Sequence, residues 1–239
     1  MGVVDEPDVA GLFAPVAAAD AVTGVLGEAK AALSHLDDPV DAELWGSDVI
    51  GALSGAGQPA AMSALAQTLV PAAAEAATPE ALAMLRVFAA IGSPGLRTAA
   101  EDAAARVAAR DVPDVPWASQ LGNPDVRDCW HYADTGGNQE SLSMTFSYGL
   151  RDHTVSVLID HGRGGGIKDI WVAKGAGLFA TELVAGGDPR VVFEIIPSAQ
   201  ARERLEQALG QEECPEDQDQ ADDIAAHRAL LQARLAQLG

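Results

Sequence analysis

At 239 residues the chain is long enough to bury a substantial core, as one large domain or two small ones. Its 48% apolar content marks it as globular, and 35 acidic against 15 basic side chains give a formal net charge of −20. A field of that sign repels phosphate backbones and anionic lipid surfaces, so nucleic acid and membrane are set aside and protein is the partner class expected.

Nothing in the remaining composition asks for an oxidising compartment. Cys129 and Cys214 are too few for a disulfide framework. The start MGVVDEPD has no basic-then-apolar signal pattern, and Glu6 spoils a myristoylation motif. No apolar run reaches the roughly 20 residues of a membrane span. The expected location is the cytoplasm.

Residues 1–111 are rich in Ala, Leu and Val and punctuated by Gly and Pro, which is helical composition. A first helix is predicted from near Asp8 and a second from Asp20 toward Leu36. Asp38–Pro39 interrupts, and a third carries Leu44, Trp45, Val49, Ile50 and Leu53 at helical spacing until Gly55 and Gly57. Pro59 opens a fourth. Thr78–Pro79–Glu80 combines an N-cap residue, a first-turn proline and an acid near the positive helix end, and Ser93–Pro94 starts the next helix. These last two form a hairpin that resembles one unit of a HEAT-type array, although earlier segments repeat at no fixed period. The expected architecture is an irregular helical bundle.

Residues 112–126 form a proline-rich connector, since proline cannot continue a helix and restricts the residue before it. Residues 127–210 then read as an α+β unit. From Leu142 to Tyr148, Leu142, Met144, Phe146 and Tyr148 alternate with Ser143, Thr145 and Ser147, the period of a half-buried antiparallel strand. His153 to His161 and Ile167 to Ala173 follow as strands, separated by the loop Gly162–Gly166. Pairing Ile159 with Ile170 and Val157 with Val172 aligns their apolar faces. Asp128 to Asp134 makes a fourth strand, with Trp130 and Tyr132 assigned to the core and Cys129 and His131 to the polar face.

The segment from Ala176 to Val184 leans to a short helix. Val191 to Ile196 is apolar on both faces, which predicts an interior or covered strand. A helix from Ser198 to Leu209 should cover the apolar sheet face. Residues 211–223 form an acidic, mobile linker, and residues 224–239 a last helix with Ile224, Leu231, Leu235 and Leu238 on one stripe. The fold class is thus α+β: an all-helical N-terminal region, a mainly antiparallel sheet of four or five strands with covering helices, and a C-terminal helix.

Candidate chemistry gathers on the polar sheet face. The Ile159–Ile170 register sets Asp160 opposite Asp169, a like-charge pair that calls for a proton, for Arg163 or Lys168, or for a hard divalent metal. His131, with Ser143 as cross-strand neighbour, would complete a His–Ser–Asp set with these carboxylates. Flat strands, however, supply neither a strained nucleophile turn nor an oxyanion hole. His153 and His161 lie about 26 Å apart along one strand and cannot share an ion. GRGGGIK lacks the ending of a phosphate-binding loop and leads into a strand. Trp171, on the polar face, needs a cover and is a ligand-binding candidate with Arg163 and Lys168.

No cofactor is expected. The reading that follows is a non-enzymatic protein-interaction or regulatory module. The alternative is a small-molecule enzyme or ligand-binding domain, hydrolytic or metal-assisted, built on Asp160 and Asp169.

Overall fold

Thr78 illustrates how local signals build the helical half. Its hydroxyl accepts the Ala81 amide at 3.2 Å, Pro79 follows, and the helix runs from Pro79 to Ile91 with an inner face sealed around Met84, Leu85 and Phe88. A computed structural model describes residues 10–54, 59–175 and 190–239. Five helices come first: α1 (Ala10–Leu33), α2 (Pro39–Ser54), α3 (Pro59–Ala76), α4 (Pro79–Ile91) and α5 (Pro94–Ala108). The start predicted near Asp8, the glycine stop after α2 and the short helix at Ala176–Val184 fall outside the described residues. The two helices predicted before Asp38 are one, α1, with Asp20 inside it.

The connector is no loose tether. Its Trp117 is 2% exposed, sits in the helical core and donates its indole N–H to the Leu36 carbonyl at 2.9 Å. The sheet follows as β1 (Asp125–Asp134), β2 (Gln139–Tyr148), β3 (Arg151–Asp160), β4 (Gly166–Lys174) and β5 (Val191–Ile196). All pairings are antiparallel, in the order β4-β3-β2-β1-β5. Two helices complete the chain, α6 (Ser198–Leu209) and α7 (Gln218–Leu235). The fold is α+β, as its sequence patterns imply. Among the described residues no helix is long and apolar enough to cross a membrane.

Two β-bulges change which residues face the core. Between Leu158 and Ile159 the register slips, so Val157 pairs with Ile170, Leu158 with Asp169, Ile159 with Ile167 and Asp160 with Gly166. Lys168 is the extra residue, and it lets Ile167 and Ile170 both point inward. The expected pairing of Ile159 with Ile170 is therefore wrong, and Asp160 does not face Asp169. On β1, a shift between Val126 and Cys129 puts Cys129 opposite Met144, His131 opposite Leu142 and Trp130 opposite Ser143. Cys129 and His131 thus lie on the core face, while Trp130 and Tyr132 lie on the hydroxyl-bearing face, the reverse of the sequence expectation. The turn fixes that phase. Asp134 accepts the Asn138 and Gln139 amides at 3.3 and 2.9 Å, which holds its carboxyl below the usual range.

The acidic segment 211–223 also differs from expectation. The Cys214 amide bonds to the Ile167 carbonyl at 2.9 Å, so this stretch lies along the outer edge of β4. Asp217 then caps α7 by accepting the Gln220 amide at 3.0 Å, so the helix begins at Gln218, six residues before the predicted start at Ile224. Among the described residues β5 is the opposite edge strand and only partly covered: Ile196 is buried, but Val192 is 44% exposed and Ile195 69%.

The helix α7 joins the two halves. Leu230, Ala229 and Ala233 pack into the helical core, and Ile224 and Leu231, with Leu238 beyond the helix end, pack into the sheet core beside Leu205 of α6. Between those faces Arg234, 0% exposed, meets the Glu43 carboxylate of α2, also 0% exposed, as an ion pair. Glu43 accepts further bonds from the Tyr148 hydroxyl at 2.7 Å and the Gly122 amide at 2.9 Å. Arg234 also donates to His153 Nε2 at 3.0 Å and stacks 5.5 Å from the Phe146 and Tyr148 ring centres. A buried ion pair endures when other hydrogen bonds satisfy its remaining atoms, and here three elements converge to supply them.

Candidate functional site

Glu140 is the residue around which the polar chemistry is organised. It stands in phase with Leu142, Met144 and Phe146 on β2, so the alternation that buries those residues also drives a carboxylate into the core face. A carboxylate there must be paired. His131 Nε2 lies 2.9 Å from Oε2, Arg204 Nη1 of α6 donates to the same oxygen at 2.8 Å, and His161 Nε2 lies 3.0 Å from Oε1. His131 reaches the other way too, with Nδ1 3.0 Å from Glu194 of β5. An imidazole donates to both carboxylates only when each ring nitrogen carries a hydrogen. The result is a continuous polar chain from the edge strand to the far end of the sheet: Glu194, His131, Glu140, then His161 and Arg204.

This chain ends at a cavity of about 310 Å³. Glu140, His161 and Arg204 form its polar wall, Ile159 and Ala208 add apolar surface, and Gln207 and Gln211 stand on the helix side. The glycine loop supplies the remaining wall. Gly164 and Gly165 adopt φ of 103° and 81°, a region that side-chain-bearing residues rarely enter. A Cβ at Gly165 would stand 3.5 Å from His161 Nδ1, so glycine leaves that nitrogen uncovered. Gly164 and Gly165 of the loop therefore form part of the cavity wall.

Of the residues proposed from sequence, Asp160 and Lys168 come together, whereas His131, Ser143 and Asp169 do not join them. His131 is on the core face, whereas Ser143 is on the opposite face and hydrogen-bonds Ser156 at 2.8 Å; its cross-strand neighbour on β1 is Trp130. Asp160, 7% exposed, accepts from Gln139 Nε2 at 3.1 Å and has Lys168 Nζ at 4.0 Å. Lys168 itself pairs with Glu216 at 2.6 Å. Asp169 lies across from Leu158, with one carboxylate oxygen buried and unpartnered. Burial pushes its carboxyl up, and Asp223 and Asp217 add to this against the Ile170 amide and His227. Arg163 reaches the Cys214 carbonyl at 3.4 Å, and Trp171, half-buried, pairs with Ser156. Among the described residues no three His, Cys, Asp or Glu side chains converge as metal ligands.

Glu140, Glu194, His161 and Arg204 are the members that sequence reasoning missed. Glu140 had a signal, being an acidic residue at an inward position of a strictly alternating strand. The others lie on separate elements, with nothing local to join them.

The fold and this site define an α+β protein in which a polar cluster on the core face of the sheet opens to a small cavity. None of the protein-family models, curated proteins or solved structures compared with the chain matches it.

Proposed function

We propose that the chain is a non-enzymatic interaction module, acting in the cytoplasm, that takes an extended basic segment of a partner protein onto the outer edge of β5. The carrying observation is the exposure of Val192 and Ile195, at 44% and 69%, on a strand that no described strand pairs on its outer side. Edge strands are ordinarily blunted by lysine, proline or a bulge. The sequence VVFEII contains none of these, and its single charge, Glu194, is engaged by His131. Beside it Trp130 meets Phe193 edge-on at 5.5 Å, adding aromatic surface for a docked side chain.

Strand addition uses the free backbone groups of such an edge for affinity and its alternating side chains for specificity. The net charge of −20 favours a partner rich in Lys and Arg, and opposes nucleic acid and anionic membranes. The two unpaired cysteines, one of them buried, accord with a reducing compartment. The enzymatic alternative at Asp160 and Asp169 loses its geometric support, because the two carboxylates are not paired across the strands.

Selection from a random peptide library tests this. Winning peptides should alternate apolar residues and carry flanking Lys or Arg. Ile195→Lys, which removes an apolar contact worth about 1.5–3 kcal/mol and repels a basic ligand, should weaken them at least tenfold. Selected peptides that bind the variant equally well refute the proposal. So does sedimentation showing the edge occupied by a second copy of the chain.

A further inference from the structure

The cavity beside Glu140 lies apart from the β5 edge, and its chemistry points to a different ligand. Glu140 accepts from Arg204 and has His131 and His161 ring nitrogens 2.9 and 3.0 Å away, so it offers the cavity little acceptor capacity. What remains is an excess of donors. One guanidinium nitrogen of Arg204 is engaged by Glu140, while the fork carries five N–H groups, and Gln207 and Gln211 on the same wall each bring an NH2 group alongside a carbonyl oxygen. Donors in excess select a ligand that brings acceptors.

Charge narrows the class further. The Glu140 carboxylate forms part of the wall, and the chain as a whole carries −20, so a dianion such as phosphate meets more repulsion than a monoanion. A planar carboxylate matches the planar guanidinium fork, whereas a tetrahedral oxoanion would leave one or more oxygens directed at Glu140. Ile159 and Ala208 provide a small apolar surface for the rest of the molecule. At about 30 Å³ for each water-sized group, 310 Å³ accommodates a body of roughly ten heavy atoms.

We infer that this cavity binds a small monocarboxylate with a short apolar body, its carboxylate on Arg204 and Gln207 and its body against Ile159 and Ala208. The buried hub behind the cavity holds Arg204 in place before the ligand arrives. Gly164 and Gly165 give one wall of the cavity that carries no side chains.

The test is an amide-resolved NMR titration of the full chain with butyrate and benzoate, alongside the neutral isostere butyramide and inorganic phosphate at matched ionic strength. Saturable shifts at Gly164, Gly165 and Gln207 with millimolar affinity are expected for the two carboxylates. Arg204→Gln should weaken binding at least tenfold. Gln207→Ala, which leaves every bond of the Glu140 hub in place, should weaken it severalfold and guards against misfolding of the first variant. The inference is overturned by the absence of saturable shifts at tens of millimolar, by butyramide or phosphate binding as well as butyrate, or by undiminished binding in both variants.

Discussion

Replacing Arg234 with methionine isolates the contact that fixes α7 between the two cores. The substitution keeps an unbranched apolar stem but leaves the Glu43 carboxylate, 0% exposed, with only the Tyr148 hydroxyl and the Gly122 amide as donors. Removing one partner of a buried ion pair costs about 3–5 kcal/mol, because the remaining charge has lost its counterion in a low-dielectric site. The guanidinium stacked 5.5 Å from Phe146 and Tyr148 is lost as well, which adds about 1 kcal/mol. Against a typical domain stability of about 5–15 kcal/mol, a loss of this size approaches the threshold of folding. In a chain of this length it corresponds to a fall in Tm of about 10–15 °C. Urea unfolding followed by circular dichroism and tryptophan fluorescence measures it. The double variant Glu43→Leu/Arg234→Met should recover most of the loss, since the stranded charge is gone and the Gly122 amide still has the Tyr148 hydroxyl at 3.1 Å. A single variant within about 1 kcal/mol of the parent, or a double variant no better than the single, would refute the reasoning.

Two further effects follow from the same junction. Burial, reinforced by the Arg234 charge, lowers the His153 imidazole from 6.5 to about 3, so the unfolded chain takes up a proton below pH 6.5 that the native state refuses. Stability contributed by the neutral ring is complete above pH 6.5 and is lost as pH falls toward 3, amounting to about 2 kcal/mol by pH 5. His153→Gln should therefore show a shallower decline in urea midpoint between pH 7 and 5, and parallel declines would contradict this. Gly51 of α2 lies against α7, where a Cβ would overlap the Ala225 carbonyl, whereas Gly24 of α1 has open space around it. Thermal melts should find Gly51→Ala destabilised by about 1–3 kcal/mol and Gly24→Ala stabilised by about 0.5–1 kcal/mol. Equal effects at the two positions would show that helix propensity, not the close approach of α2 and α7, governs both.

The sequence by itself determined whatever depends on a few neighbouring residues. Thr78–Pro79–Glu80 started α4 because a cap, a proline and a first-turn acid act within one turn. The Ser–hydrophobic alternation of β2 gave its core face, since side-chain direction in a strand has a period of two. It also placed α6 over the sheet and left the C-terminal stripe a core to join. The tertiary structure decided what depends on how such elements meet. Lys168 in its bulge has nothing local to mark it, yet one extra residue there separates Asp160 from Asp169. One residue of slip in β1 exchanges Trp130 for His131 at the core, because shifting a strand by one reverses both of its faces. The apolar run of β5 reads the same in a central strand as in an edge strand, and only the pairing order distinguishes them. Glu140 was legible as an inward acid. Its partners came from β1, the loop after β3 and α6, and only packing brings them within 3 Å of one carboxylate.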